Sequence, residues 1–144
     1  MRPKFAKLLY LMIFSGLVLW ACSAVAEPSL TAAKAWQALN AGQITLIDIR
    51  TPEEWQETGV ARGAVRIDLH HPEGAEGFVG AVLQAVNGDR HAPLALICRT
   101  GNRSGHIQQF LQSVGFTRVY DVSEGMAGSR AGPGWLKRRL PVDR

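Results

Sequence analysis

The sequence predicts an α/β domain built around a parallel sheet. Segments with the character of strands alternate along the chain with segments of helical spacing, which is the order of elements that a parallel sheet with crossover helices requires. Residues 44–49 and 94–97 are apolar at nearly every position, as are strands that are buried on both faces. The chain of 144 residues has the length of one ordinary domain.

Capping residues and the spacing of apolar residues predict the first four elements. In chain order they are a helix, a strand, a helix and a short strand, predicted at residues 31–40, 44–49, 51–58 and 64–67. Thr31 can cap the first helix. Thr51 followed by Pro52 and two glutamates is typical of a helix start, and Gly59 ends that helix.

The remaining elements follow a polar loop at residues 68–76. They are a helix, a strand, a helix, a strand and a short terminal helix, predicted at residues 77–86, 94–97, 104–114, 118–122 and 135–139. The helix after residue 104 places Ile107, Phe110 and Leu111 on one face, and Gly115 terminates it. Ligands of such sheets bind beyond the carboxyl ends of the strands, so the residues after each buried strand are candidates for a site.

The charge of the chain argues against a nucleic-acid partner. The formal net charge of +4 comes from 16 Lys and Arg against 12 Asp and Glu. Arg2, Lys4 and Lys7 lie within residues 1–26, and without them 13 positive residues face 12 negative ones. A domain this close to neutral offers no strong attraction for a phosphate backbone.

Residues 1–26 have the pattern of a secretory signal peptide. A basic start precedes an apolar core at residues 8–20, and small residues at Ala24 and Ala26 form a cleavage site. We therefore expect an exported, periplasmic domain that occupies residues 29–142. Two alternatives stay open: a lipoprotein that is lipidated at Cys22, and an uncleaved N-terminal membrane anchor.

Cleavage of the leader would make Cys98 the only thiol of the mature chain, because the other cysteine is Cys22. A leftover cysteine in an exported protein is either a reactive thiol or half of an intermolecular bridge. The plainer alternative is a small buried hydrophobe, which free cysteine usually is. The position of Cys98 directly after the strand at residues 94–97 favours the reactive thiol.

The loop that follows this strand has the composition of an anion-binding turn. Its sequence is Cys98-Arg99-Thr100-Gly101-Asn102-Arg103, and it leads into a helix predicted to begin at Ser104. Gly101 allows the positive φ that curls the backbone, and successive N–H groups at a helix start converge on an anion. Flanking arginines add positive charge. We therefore expect Cys98 to exist substantially as the thiolate, and this loop to hold the terminal sulfur of a persulfide.

This loop resembles the active-site loop of the rhodanese family. The segment Asp48-Ile49-Arg50-Thr51-Pro52-Glu53-Glu54-Trp55 resembles the Asp-x-Arg-x-x-Glu-aromatic entry segment of that family, and the tail from Glu124 to Val142 is also similar. The resemblance covers about residues 29–142. It implies a rhodanese-like fold, a five-stranded parallel sheet with helices on both faces.

The resemblance also implies a sulfurtransferase with a ping-pong reaction. Thiosulfate or a similar anionic sulfane donor would charge Cys98 as a persulfide, and a thiol or cyanide acceptor would remove the sulfur. We expect no cofactor and no metal, a monomer, and an acceptor that is a small thiol or a partner protein.

The resemblance also implies roles for individual residues of the site. Cys98 would be the nucleophile, and the predicted substrate-binding residues are Arg99, Thr100, Gly101, Asn102 and Arg103. The two arginines of this group would attract the anionic donor. The residues expected to support the loop are Ser104, Asp48 and Arg50. We expect Asp48 and Arg50 to act through hydrogen bonds and an ion pair with Glu53, Glu54 or Glu57, because buried polar groups need partners.

Two other functions are considered. A cysteine-dependent phosphatase or arsenate reductase needs a wider loop, with an arginine six positions after the cysteine to hold a tetrahedral oxyanion. Here Arg103 stands five positions after Cys98, and Ser104 occupies the sixth. The other alternative is a non-enzymatic persulfide carrier or interaction module; inactive relatives typically lack the cysteine that is present here. The glycine-rich stretch at residues 127–134 has no role that the sequence reveals.

Overall fold

The protein is described by a computed structural model over residues 29–144, so the predictions of a signal peptide at residues 1–26, of lipidation at Cys22 and of an N-terminal anchor lie outside the described residues. The helices within this range are α1 (Ala32–Asn40), α2 (Pro52–Thr58), α3 (Gly74–Ala85), α4 (Asn102–Ser113) and α5 (Gly134–Lys137). The strands are β1 (Ser29–Leu30), β2 (Thr45–Asp48), β3 (Val60–Ala61), β4 (Val65–Arg66), β5 (Leu94–Ile97), β6 (Val119–Val122) and β7 (Val142–Asp143). No helix among residues 29–144 has both the length and the apolar character needed to cross a bilayer.

The main sheet has five strands in the order β1-β6-β5-β2-β4, and each neighbouring pair in it is parallel. A second, two-stranded sheet pairs β3 with β7 in antiparallel fashion. The predicted α/β class and the five-stranded parallel sheet are therefore confirmed.

The main sheet separates two hydrophobic cores, because successive side chains of a strand point to opposite faces. Ile47 of β2 packs in one core together with Phe78 of α3 and Leu111 of α4. Its neighbour Leu46 packs in the other core with Trp135 of α5 and the buried alanines of α1. Helices thus cover both faces of the sheet, as expected, and β2 and β5 are buried from both sides.

The start of α2 agrees with its sequence pattern. The Thr51 hydroxyl accepts a hydrogen bond from the Glu54 backbone N–H at 3.4 Å, and the Glu54 carboxylate accepts one from the Thr51 N–H at 3.1 Å. This reciprocal pair is a capping box, and Pro52 takes the first helical position. The cap fixes the Glu54 side chain at the end of the helix that faces the site.

The differences from the predicted elements have local causes. The helix predicted from residue 77 begins three residues earlier, at Gly74, so the predicted loop is too long. The helix predicted from Ser104 begins at Asn102, because the left-handed residue Gly101, with φ of 82°, directly precedes it. Strands β1, β3 and β7 were not predicted, since two residues are too few to show any periodicity.

Candidate active site

The residues after β2 and β5 meet at one edge of the main sheet. The two strands are parallel neighbours, with Asp48 opposite Ile97. The carboxyl ends of the strands therefore bring Arg50 and Cys98 to the same edge. Both residues are buried, Arg50 at 1% exposure and Cys98 at 1%.

The sulfur of Cys98 has polar contacts that packing alone does not require. Burial at 1% exposure is equally compatible with a small core hydrophobe. However, the sulfur accepts hydrogen bonds from the backbone N–H groups of Gly101 at 3.2 Å and Ser104 at 3.5 Å. The Ser104 hydroxyl lies 3.3 Å from it. Converging donors at a helix N-terminus are what an anionic sulfur needs, and this is the geometry that the predicted anion-binding turn requires.

The curvature of the loop depends on glycine at position 101. Gly101 has φ of 82°, in the left-handed region that favours glycine. A Cβ at this position would lie 2.7 Å from the carbonyl carbon of Ser123 and closer still to its oxygen. The loop and the segment after β6 therefore approach each other to a distance that only glycine permits.

The same segment also holds the loop by backbone hydrogen bonds. The Met126 N–H donates to the Cys98 carbonyl at 2.9 Å, and the Ala127 N–H donates to the Arg99 carbonyl at 2.8 Å. Gly125 lies so close that a Cβ there would be 2.5 Å from the Arg99 oxygen. The backbone of Cys98 and Arg99 is thereby fixed from the side opposite α4.

The glycine-rich stretch at residues 127–134 is organised by Glu124, whose side chain is fully buried. Arg138 donates two hydrogen bonds to this carboxylate, at 2.6 and 2.7 Å, and the Gly134 N–H donates a third at 3.1 Å. The hydrogen bonds from Arg138 are the main reason that the pKa of Glu124 is lowered. Ser129 bonds back to the Ser123 carbonyl at 2.8 Å. The stretch therefore folds back on the segment that holds the Cys98 loop.

Arg103 is held by Glu54 in a two-pronged ion pair. Its Nη1 and Nη2 atoms lie 2.8 and 2.6 Å from the two carboxylate oxygens. Hydrogen bonds of this kind are the strongest that a guanidinium makes. Glu54 therefore offsets the charge of Arg103, and the expectation that both loop arginines attract an anionic donor stays a prediction. The sequence names Glu54 only as a partner for Arg50.

Arg50 makes its ion pair with Asp48, and the expected pair with Glu53, Glu54 or Glu57 is not formed. The Nη2 and Nε atoms of Arg50 lie 2.7 and 3.0 Å from the Asp48 carboxylate. The other hydrogen bonds of the guanidinium go to Glu54 O, Thr58 Oγ1 and Gly59 O. Through these contacts Arg50 joins the end of β2 to the end of α2.

The remaining loop residues face outward. Arg99, Thr100 and Asn102 are exposed. Within residues 29–144 no carboxylate pairs with Arg99, so its charge is available to a bound anion. No group of three or more His, Cys, Asp or Glu side chains in this range is placed to hold a metal ion.

We expect the Glu54→Gln variant to be less stable by about 1–2 kcal/mol at neutral pH, a value that allows for solvent screening of this partly exposed pair. The hydrogen bonds from Arg103 lower the pKa of Glu54 from 4.5 to about 2. Because the folded pKa is the lower one, the stabilisation is complete above pH 4.5 and is lost as the pH falls toward 2. Urea denaturation at several pH values measures this change.

The matched control is Glu57→Gln, which removes an exposed carboxylate from the same helix. We expect it to change the free energy of unfolding by less than about 0.5 kcal/mol. Equal effects of the two substitutions at every pH would contradict the role given to the pair of Glu54 and Arg103.

The chain is similar to known proteins in both sequence and structure. A model of the rhodanese-like domain matches residues 31–131. An uncharacterized protein of Rickettsia conorii is 31% identical over 98 residues, which are 67% of this chain and 80% of that protein. A crystal structure of a protein from M. tuberculosis has a TM-score of 0.61 at 26% identity and covers 80% of this chain and 96% of its own. The human single-domain sulfurtransferase has a TM-score of 0.51 at 26% identity, covering 67% and 91%.

Proposed function

This chain belongs to the rhodanese-like domain family, and from that premise we propose that it is a sulfurtransferase that carries sulfane sulfur as a persulfide on Cys98. The observation that carries the proposal is the set of three polar contacts made by the buried Cys98 sulfur, from the Gly101 and Ser104 N–H groups and the Ser104 hydroxyl. These donors suit a thiolate and, after charging, an anionic persulfide.

The proposed reaction has two displacements at sulfur. The Cys98 thiolate attacks the outer sulfur of thiosulfate or a similar anionic donor, a new S–S bond forms, and sulfite leaves with the electron pair of the broken S–S bond. A thiolate or cyanide then attacks the terminal sulfur and restores the Cys98 thiolate. Neither step needs an external oxidant or reductant. The partners are therefore a small anionic donor and a thiophilic acceptor, and the domain needs no second subunit for this chemistry.

The contacts of the loop favour sulfur over a phosphate or arsenate. An oxyanion enzyme of the Cys-x5-Arg type uses its arginine to hold the substrate oxygens. Here the arginine next to that sixth position, Arg103, is bound by both oxygens of Glu54. The sixth position is Ser104, whose hydroxyl is directed at the cysteine sulfur itself at 3.3 Å.

The test is to mix the purified protein with thiosulfate and then with cyanide. We expect thiocyanate to form and, without an acceptor, the intact mass to rise by one sulfur atom on Cys98. Charging without thiocyanate would favour the non-enzymatic carrier and contradict the enzyme. If neither product appears, the sulfurtransferase proposal is wrong.

We expect Arg99→Ala to raise KM for thiosulfate about fivefold with little change in kcat, because Arg99 supplies the free positive charge of the loop. The effect should shrink as ionic strength increases, since exposed charges are screened by salt. Steady-state kinetics at low and high salt measure the rise in KM and its dependence on ionic strength.

Arg118→Ala is the matched control, because Arg118 is also exposed but precedes β6, at the opposite end of the strands. It removes the same charge and should leave KM unchanged. A KM for thiosulfate that rises equally in both variants would argue against a local role for Arg99.

We also propose that the domain works outside the cytoplasm, on the basis of the leader pattern in residues 1–26. Cleavage after Ala26 would give a mature chain that begins at Glu27. Mass spectrometry of the protein isolated from its own cells measures the N-terminus. A lipid on Cys22 would support the lipoprotein alternative, and a chain that starts at Met1 would support the anchor.

A further inference from the structure

The charged residues around the Cys98 loop differ in whether they are paired. A cleft between α2 and the segment after β6 is lined by four of them: Arg50, Glu54, Glu57 and Arg99. Asp48 binds Arg50 at 2.7 Å, and both side chains are buried. Arg99 is exposed, and within residues 29–144 no carboxylate forms an ion pair with it. The charge of Arg99 is therefore free, and that of Arg50 is not.

Arg103, the second arginine of the loop, is neutralised by Glu54. Its backbone lies next to the sulfur, because it directly precedes Ser104, whose N–H is 3.5 Å from the Cys98 Sγ. Its Nη1 and Nη2 atoms lie 2.8 and 2.6 Å from the two oxygens of Glu54. The Arg103 side chain is 33% exposed and that of Glu54 is 16% exposed, so water screens this pair only in part. The pKa of Glu54 is lowered to about 2, so the carboxylate is charged at neutral pH.

We propose that Glu54 is a positioning residue that sets the donor specificity of Cys98 by holding and neutralising Arg103. Of the two arginines of the loop, Arg99 alone then attracts a donor. One free cation suits a sulfane donor with a single negative charge, such as an organic thiosulfonate or a hydropersulfide. A donor with two negative charges, such as thiosulfate, would gain more from a second free cation. The proposal deepens the sulfur-transfer function and rests on it.

Two donors of different charge can measure this specificity. Thiosulfate carries two negative charges and methanethiosulfonate carries one. Both transfer their outer sulfur to a thiolate, and sulfite or methanesulfinate leaves with the electron pair of the broken S–S bond. The energy of a donor in the field of a cation is proportional to the charge of the donor. A cation that raises kcat/KM for the singly charged donor by some factor should therefore raise it for the doubly charged donor by the square of that factor.

Glu54→Gln removes the negative charge with little change of shape. A glutamine at this position can still complete the capping box with Thr51, and its carbonyl oxygen can still accept a hydrogen bond from Arg103. Arg103 then stays in place with its charge uncompensated. At low salt we expect kcat/KM to rise about twofold for methanethiosulfonate and about fourfold for thiosulfate. The difference between the two donors should shrink at high salt, which a purely structural change would not cause.

Glu53→Gln is the matched control, because it removes the neighbouring carboxylate of the same helix, which is exposed and does not pair with Arg103. It should leave the ratio of kcat/KM for the two donors unchanged. Combining Glu54→Gln with Arg103→Gln removes both charges of the pair, so the ratio should return to that of the unchanged protein. A ratio that stays altered in this double variant, or that Glu53→Gln alters equally, would overturn the proposal.

Alkylation of Cys98 measures the same charge without any sulfur transfer. Iodoacetate carries one negative charge and iodoacetamide carries none. Both react with the same thiolate, so the ratio of their rates does not depend on how much thiolate is present. Glu54→Gln should raise the rate of iodoacetate relative to iodoacetamide about twofold at low salt, and Glu53→Gln should not. Mass spectrometry of the peptide that contains Cys98 separates this reaction from that of Cys22.

The two measurements distinguish this proposal from the proposed function. A raised alkylation ratio in Glu54→Gln, without thiocyanate from either donor, would support the charge effect of Glu54 and refute sulfur transfer. Thiocyanate from both donors, with both ratios unchanged in Glu54→Gln, would refute the role of Glu54 and leave sulfur transfer intact. A Cys98 that reacts with neither the donors nor the alkylating reagents would overturn both, because an anionic donor must reach the same sulfur.

Discussion

Replacing Cys98 with serine is expected to lower the rate of thiocyanate formation by at least about 10³-fold, as the loss of a covalent nucleophile does. Serine preserves the size of the side chain, and its oxygen can still accept from the Gly101 and Ser104 N–H groups that now bind the sulfur. The fold should therefore survive while the persulfide cannot form. Thiocyanate assays and intact mass measure the two consequences.

Cys22→Ser is the matched control for this experiment, because it removes the only other cysteine of the chain. It should leave thiocyanate formation and the sulfur adduct intact. Substantial turnover in Cys98→Ser would mean that another group accepts the sulfur, and the nucleophile assigned here would be wrong.

Gly101→Ala is expected to destabilise the protein by at least about 3 kcal/mol, combining left-handed backbone strain with a clash against backbone atoms that cannot move freely. The added Cβ would lie 2.7 Å from the Ser123 carbonyl carbon. Relief of this contact must push the loop away from the segment after β6 and shift the N–H groups that face the sulfur. The free energy of unfolding, measured by equilibrium denaturation, and the rate of sulfur transfer should therefore both fall.

Gly88→Ala measures the part of this loss of stability that comes from the left-handed backbone conformation alone. Gly88 has φ of 81°, against 82° at Gly101, but no atom lies within 4 Å of its added Cβ. This variant should lose only about 1 kcal/mol, the cost of the left-handed conformation. If both variants lost the same stability, the close approach between Gly101 and Ser123 would not constrain the loop.

The sheet and the position of Cys98 at its edge could be predicted because they depend on local patterns. Residues 94–97 form a strand buried on both faces, and such a strand in an α/β order of elements belongs to a parallel sheet. The ligand side of that sheet then follows from its direction, which places Cys98 at the candidate site. The Thr51 cap and the positive φ of Gly101 are similarly local, and both were predicted, although the helix after Gly101 begins two residues earlier than expected.

The partners of the charged residues could not be predicted, because they depend on contacts between distant parts of the chain. Glu54 and Arg103 are 49 residues apart, and nothing in the sequence distinguishes Glu54 from Glu53 or Glu57 as the carboxylate that reaches the loop. The pairing of β3 with β7 joins even more distant segments.

The pairing of β3 with β7 sets the order in which the site can be completed during biosynthesis. Val60 and Ala61 are translated long before their partners Asp143 and Val142. Gly59, directly before β3, accepts a hydrogen bond from Arg50 at 2.8 Å and packs against the Asp143 carbonyl. These contacts around Arg50 are therefore complete only after β7 has been made, so a nascent chain that stalls short of β7 contains Cys98 but lacks part of the structure behind Arg50.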